Sequence, residues 1–488
     1  MTESFVLTLK LNTSPEQDQW LSHAFWCGQQ IYNVLVRHCR KQLRKLMQDP
    51  EYRDLLAARR KSNLSKKDKN RINQELATIR RGYGFSEYQL HAYVSVQQHR
   101  YQKHIDSLTA QKIASSVWRS VEKYLFDNGK CIHFRKYNKF ESMEGKKNTS
   151  GMRFKDGRLH WRGQVIQPQI RTDYDRKALK SGVKYCRIHR KPVSAKYHYY
   201  LQLVLEGRPP VKHPAGHGTA GLDIGTSSAA IVTDDTCQLT VLGSDTKDRS
   251  SQIRRIQRAM DRSRRATNPD NYLPDGAVRR GARKWIRTKH YEKLQFRKRS
   301  LERRHADAIN ASHHRLVNEI ASKADTVYVE KMSFRGLTRK SKSATKKADG
   351  RFRSRKRFGK SISNHAPAAF LNILGNRLAS GGGELVKVDT VSFRASQYNH
   401  VTDDYVRKKL SCRGSFIGDH YIQRDLYSAF LLMNSNATGT AADRQKCIDA
   451  FPMFLITHDA CMDALLAENK KYPSSFGLRS YERYKCNC

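Results

Sequence analysis

Asp223 in GLDIGTSSAAIV, Glu330 in VYVEKMSFRGL and Asp425 in QRDLYSAFLL are acids set in three short, widely separated strings. The first two stand against runs of strand formers, and the third precedes a small apolar run of helical character. Three carboxylates gathered from distant parts of one sheet can hold two hard divalent cations, because carboxylate oxygens suit Mg²⁺. In a protein that binds a polyanion, that chemistry is phosphodiester cleavage. On a strand of period two, Asp223 points away from Leu222 and Ile224, toward a cleft or solvent. Glu330 closes the run Thr326-Val327-Tyr328-Val329, which puts it at the carboxyl edge of a strand, where α/β sites form. Each acid also has an ordinary reading. Asp223 could cap the turn that begins at Gly225, Glu330 could pair on the surface with Lys331, and Asp425 could favour a helix N-terminus through the dipole. Their order and spacing together favour one site.

The elements that must carry these acids belong to a strongly basic chain. Its 488 residues hold 92 Lys and Arg against 45 acids, a net charge of +47, with 38% hydrophobic residues. That length suggests two to four domains. Self-repulsion at this charge opposes compaction unless a polyanion is bound, so nucleic acid is the expected partner, and a long one. The start, MTESFVLTLK, lacks a basic segment followed by an apolar run. No stretch approaches the roughly 18 consecutive apolar residues of a membrane span, so no membrane is expected. Ten cysteines lie scattered without a CxxC pair, which reads as reduced thiols in an intracellular, cytoplasmic protein.

Residues 5–11, FVLTLKL, alternate as a strand. Ser14-Pro15-Glu16-Gln17 then supplies an N-cap, a proline at the first helical position and a capping-box glutamine. Trp20, Leu21, Ala24, Phe25, Ile31, Tyr32, Leu35 and Val36 follow at helical spacing, and helical text runs to about Phe126, interrupted by the charged KSNLSKKDKNR. From about 130 to 213 short strand-like segments separated by Gly and Lys predict a small β-barrel. PPVKHPAGH at 209–217 reads as a linker, with a new domain beginning near 218. A long helical region at 250–323 follows the first acid string, and within it 250–310 carries 18 Lys and Arg against 6 acids. Residues 339–360 carry 11 against one and predict a mobile loop. APAAFLNILGNRLAS is helical up to Gly381-Gly382-Gly383, and ELVKVDT is a further strand.

Set in this order, the strings resemble the transposon-encoded TnpB proteins and the compact type V CRISPR effectors, RNA-guided DNA endonucleases with a RuvC-like domain. SPEQDQWLSHAFWCGQQIYNVLV, with Tyr32-Asn33, is similar to the family's first recognition helix, and KYHYYLQLVLEG to the last strands of its wedge barrel. GLDIGTSSAAIV resembles the first RuvC motif. RRHADAINASHHRLVNEIASKADTVYVEKMSFRGL resembles the block carrying the second, and QRDLYSAF the third. AAFLNILGNRLASGGGELVKVDTVSFRASQ is similar to the segment between them, so the likeness covers about half the chain, collinearly.

The resemblance implies a multidomain α+β protein. Residues 1–13 and 128–213 would form the wedge β-barrel, 14–127 a helical recognition domain, and 218–435 an RNase H-like (RuvC) α/β nuclease domain. Two departures stand out. The family inserts a four-cysteine zinc ribbon after a Ser-Gln pair, but Ser396-Gln397 is followed by YNHVTDDYV, and Ser415 and Gly418 stand where the second cysteine pair belongs. Within 396–420 only Cys412 and His400 remain, and a structural zinc site needs four ligands, so zinc is not expected, Cys486 and Cys488 of the tail being remote contributors. In the third motif Gln423 and Tyr427 stand where the family has an acid and an asparagine, while Asp425 is retained. Residues 436–488 are unlike the family's ends; a helical cap or partner surface is the reading they allow.

By the same resemblance, Asp223, Glu330 and Asp425 would hold two Mg²⁺ about 4 Å apart, with Asp223 bridging. A guide RNA would pair with double-stranded target DNA, the protein acting as a monomer or as a homodimer on one guide. Arg254, Arg255, Arg297, Lys298, Arg299 and Arg424 are the candidate nucleic-acid contacts, with nonspecific charge as the plainer account of the basic helices. A bacterial, archaeal or phage source fits. Two other readings stay open: an RNA-guided binding protein with weak or no cleavage, and a guide-independent nuclease on the same fold.

Overall fold

A computed structural model describes the chain except residues 1–2, 61–63, 127–128, 194–195, 212–215, 282, 341–342, 344–357, 410, 469 and 488. Most of the basic 339–360 loop, part of the linker, the start of the charged 61–71 stretch and the Cys486–Cys488 pair of side chains thus lie outside the described residues. The chain divides into two compact units, Met1–Pro210 and Val211–Cys488.

The first unit combines a helical block with one antiparallel sheet. Strand β1 (Ser4–Asn12) is followed by α1 (Pro15–Gln48), α2 (Pro50–Arg59), α3 (Lys66–Gly82), α4 (Glu87–Gln98) and α5 (Ser107–Phe126). Then come β2 (Ser142–Glu144), β3 (Arg153–Lys155), β4 (Arg158–Trp161), β5 (Gln164–Pro168), α6 (Asp173–Ala178), β6 (Val183–Val193) and β7 (Lys196–Glu206). The strand order is β2-β6-β7-β1-β5-β4-β3, and the sheet curls so that β3 returns against β6. The capping box forms as the sequence predicts: Ser14 Oγ accepts from the Gln17 N–H, and the Ser14 N–H donates to Gln17 Oε1. Leu7, Leu9 and Leu11 of β1 and Leu21, Phe25 and Ile31 of α1 share one core. Tyr32-Asn33 has a structural task there: Asn33 exchanges two hydrogen bonds with the Arg135 backbone, and the Arg135 guanidinium lies 4.4 Å from the centre of the Tyr32 ring.

In the second unit a five-stranded sheet is covered by helices on both faces. Its strands are β8 (Thr219–Ile224), β9 (Ser228–Val232), β10 (Cys237–Val241), β11 (Thr326–Glu330) and β12 (Glu384–Val388), in the order β10-β9-β8-β11-β12. β8, β9 and β10 form an antiparallel meander, whereas β8, β11 and β12 run parallel. The helices are α7 (Ser250–Thr267), α8 (Lys289–Lys323), α9 (Phe334–Leu337), α10 (Gly359–His365), α11 (Pro367–Ser380) and α12 (Thr390–Phe393). After them come α13 (Arg424–Met433), α14 (Arg444–Ala467) and α15 (Leu478–Asn487). Ala220, Leu222 and Ile224 pack on one face with Val317 and Ile320 of α8 and Phe370 and Leu374 of α11. Ala230, Val232 and Leu239 pack on the other face with α13 and the C-terminal helices. The tail is therefore a core element of this unit. By length and composition α14 could cross a membrane, a feature that a search for uninterrupted apolar runs passes over; Cys447, Phe454, His458 and Met462 dock it into the core. The eight described cysteines are free thiols.

Candidate carboxylate site

Asp223 and Glu330 stand at the carboxyl ends of adjacent parallel strands, since Leu222 is in register with Val329. Alternation puts Asp223 on the same face as Gly221, opposite Leu222. Helix α13 crosses that face with no room for a side chain: a Cβ on Gly221 would overlap the Ala429 carbonyl oxygen and lie 2.6 Å from the Met433 nitrogen. Asp425 is one turn before Ala429, so this close crossing carries it to the end of β8 where Asp223 stands.

The electrostatics record that convergence. Burial, and then the charges of Asp425 and Glu330, push the Asp223 carboxyl well above the usual carboxylate range, with Arg424 acting in the opposite sense. Burial raises Glu330 as well, moderated by a hydrogen bond from the Ala395 N–H. That donor follows Arg394, which ends α12 in the left-handed region with a φ of 49°. A set of clustered, half-buried carboxylates offers only hard oxygens and repels itself, which is the donor chemistry that divalent Mg²⁺ requires.

Arg424 faces inward. Its Nε and Nη2 donate to Asp425 Oδ1 at 3.1 and 2.9 Å, and its Nη1 donates to the Cys412 carbonyl at 3.3 Å. Arg254 and Arg255 on α7 and Arg297 on α8 are exposed, whereas Lys298 and Arg299 are half-buried. Lys298 is paired with Glu302 at 2.7 Å.

Hydrogen bonds and ring packing hold the described side chains of the 396–420 segment. His400, 1% exposed, shares a 2.8 Å hydrogen bond with the Tyr427 hydroxyl and packs against Phe430 and Phe451; burial and Arg444 lower its pKa to about 4. Ser415 accepts a 2.7 Å hydrogen bond from Lys408, and Gly418 takes a φ of 59° in the hairpin between strands Gly414–Ile417 and His420–Gln423. The tail then fastens the N-cap of α13. Gln423 caps the helix by accepting from the Leu426 N–H at 2.7 Å, its own N–H donates to His458 Nε2 at 3.0 Å, and its amide donates to the Ser475 carbonyl at 3.3 Å. Asp459 accepts from His458 Nδ1 and from the Tyr481 hydroxyl, at 2.8 and 2.9 Å. Sequence reasoning missed His458; the helical spacing of Cys447, Phe454, His458 and Met462 is the signal that marks it as core-facing.

No family model matches the chain, and no curated protein does. Among solved structures it is similar to compact type V CRISPR effectors. A Cas12f1–sgRNA–target DNA complex matches with a TM-score of 0.41 and 11% identity over 88% of this chain and 98% of that one. A CRISPR-Cas12f ternary complex matches with a TM-score of 0.24 and 13% identity, over 88% and 99% of the two chains. A Cas12i–crRNA–dsDNA complex matches with a TM-score of 0.24 and 9% identity, over 91% and 64%.

Proposed function

We propose that the chain is an RNA-guided DNA endonuclease that hydrolyses phosphodiester bonds at one RNase H-like site formed by Asp223, Glu330 and Asp425. The observation that carries this reading is the convergence of the three acids near the shared end of β8 and β11, where burial and then the charges of Asp425 and Glu330 raise Asp223 well above an ordinary aspartate. The strand order β10-β9-β8-β11-β12, a meander followed by two parallel strands, supports the RNase H-like assignment. The net charge of +47 supports long nucleic acids as partners.

Asp223, which feels the charges of both other acids, would hold Mg²⁺ together with Glu330 and Asp425. When bound, the metal would supply an activated water and stabilise the leaving 3′-oxygen. The chain's own part is to fix the carboxylates on rigid elements. The Ala395 N–H orients Glu330, and the close crossing of α13 over Gly221 sets Asp425. Arg424 holds Asp425 by two hydrogen bonds to one oxygen, which leaves Oδ2 for a cation.

That same pairing favours a second reading, a guide-directed DNA-binding protein with weak or no cleavage, because a cation must share Asp425 with a guanidinium. One experiment separates the two. The protein is purified from its native locus, its bound RNA is sequenced, and DNA matching that RNA is offered with Mg²⁺. Bound RNA with Mg²⁺-dependent cutting, abolished by Asp223→Ala while RNA and target binding persist, is the expected result. Bound RNA without cutting selects the second reading, and no bound RNA overturns both.

A further inference from the structure

The first unit contains a convergence of nitrogen and sulfur ligands that no part of the nuclease reading uses. His23 and Cys27 are one turn apart on α1 and so share a face. His104 comes from the turn between the short helix His99–Tyr101 and α5, and its ring centre lies 4.5 Å from that of His23. One ring nitrogen from each histidine and the Cys27 sulfur all lie within 4.8 Å of one another. Cys27 is 1% exposed, His104 is half-buried and His23 faces solvent, so the cluster is rooted in the core and open on one side. Among the described residues neither imidazole makes a side-chain hydrogen bond. Aromatic neighbours fix both rings: Trp20 stacks on His104 at 5.4 Å and meets Trp161 of β4 edge-on at 5.1 Å, and Trp26 lies 5.3 Å from His23.

Ring packing alone explains why the histidines are close. It does not explain why a buried thiol lies against two imidazoles that, among the described residues, make no side-chain hydrogen bond. We propose that His23, Cys27 and His104 form a binding site for a borderline-soft divalent cation of the zinc class, with a fourth, solvent-facing position for water. Tetrahedral zinc with bonds of about 2.0–2.3 Å needs ligand atoms about 3.3–3.6 Å apart. With the three atoms already within 4.8 Å of one another, coordination would draw them together by roughly 1–1.5 Å at most. Two nitrogens and one sulfur suit zinc and are the wrong donors for Mg²⁺. On binding, the Cys27 thiol releases its proton to solvent and coordinates as thiolate. The bound ion would staple α1 to the α4–α5 connection beside β4.

The test uses the full chain, stripped with chelator and titrated with Co²⁺. One equivalent should produce the visible bands of tetrahedral cobalt and a near-ultraviolet thiolate-to-metal band, both removed by added Zn²⁺. Cys27→Ser should abolish the thiolate band, and His104→Ala or the surface change His23→Gln should weaken Co²⁺ affinity roughly tenfold or more. Zn²⁺ should raise the melting temperature of the wild type but not of His23→Gln, a variant that keeps the core intact if Cys27→Ser fails to fold. The thiolate band should persist in Asp223→Asn, which separates this site from the carboxylates. Absence of the band from wild-type protein, or its survival in Cys27→Ser, overturns the proposal.

Discussion

Asp223 carries the electrostatic strain of the carboxylate site, and that strain has a pH signature. Its folded pKa is raised above the unfolded value of about 3.9. The group's favourable contribution is therefore present below that pH and is lost as pH rises through the raised value. In chelator, thermal stability should fall across that window, Asp223→Asn should flatten the fall, and Mg²⁺ should reverse it. Melting curves in EDTA that ignore both pH and Asp223→Asn would count against a clustered acid site. Cleavage should have the opposite slope, weakening as pH falls, because Asp223 and Glu330, both raised, take up protons that compete with metal earlier than ordinary carboxylates do. Arg424→Gln frees Asp425 from its guanidinium, and Mg²⁺ should then support cleavage at lower concentration; a higher Mg²⁺ requirement would make Arg424 a necessary positioning residue.

Helix α13 is the element on which the site depends, and two contacts set its position. Gly221→Ala puts a methyl group where the Ala429 carbonyl lies, so it should cost about 1–3 kcal/mol or more and displace Asp425. Urea unfolding and cleavage assays should then both show losses, whereas RNA binding should change far less. His458→Ala removes the acceptor for the buried Gln423 N–H, a loss of about 1–3 kcal/mol at the cap that bears Asp425. Unchanged stability and cleavage in that variant would show that the tail is dispensable for the site. Much of this arrangement could be read from residue order. The capping box at Ser14, the strand-terminal position of Glu330 and the reversal after Asp223 all follow from local chemistry. The fastening of the 396–420 segment could not be read, because His400 meets Phe451 and Gln423 meets His458 only through non-local packing. A helix such as α14, apolar on several sides, does not reveal which neighbour its buried positions find.

For the whole molecule, charge is the dominant property. With 92 basic residues against 45 acids, binding to nucleic acid should fall steeply with salt, by roughly 10³–10⁵ between 50 and 200 mM if six to ten phosphates are neutralised. Arg254→Glu, Arg255→Glu and Arg297→Glu alter exposed side chains and should each lower the salt slope by about one. Lys298→Glu should do less, because Lys298 is already paired with Glu302; equal effects at all four positions would make the basic helices a diffuse field. The tail's grip on the α13 cap also bears on how the protein is made. A ribosome working at about 5–20 residues per second delivers His458 a few seconds after Asp425, and Tyr481 later still. A nascent or prematurely stopped chain thus holds all three acids without the clasp that aligns them, so under the proposed function synthesis itself would delay the moment at which a cutting centre forms.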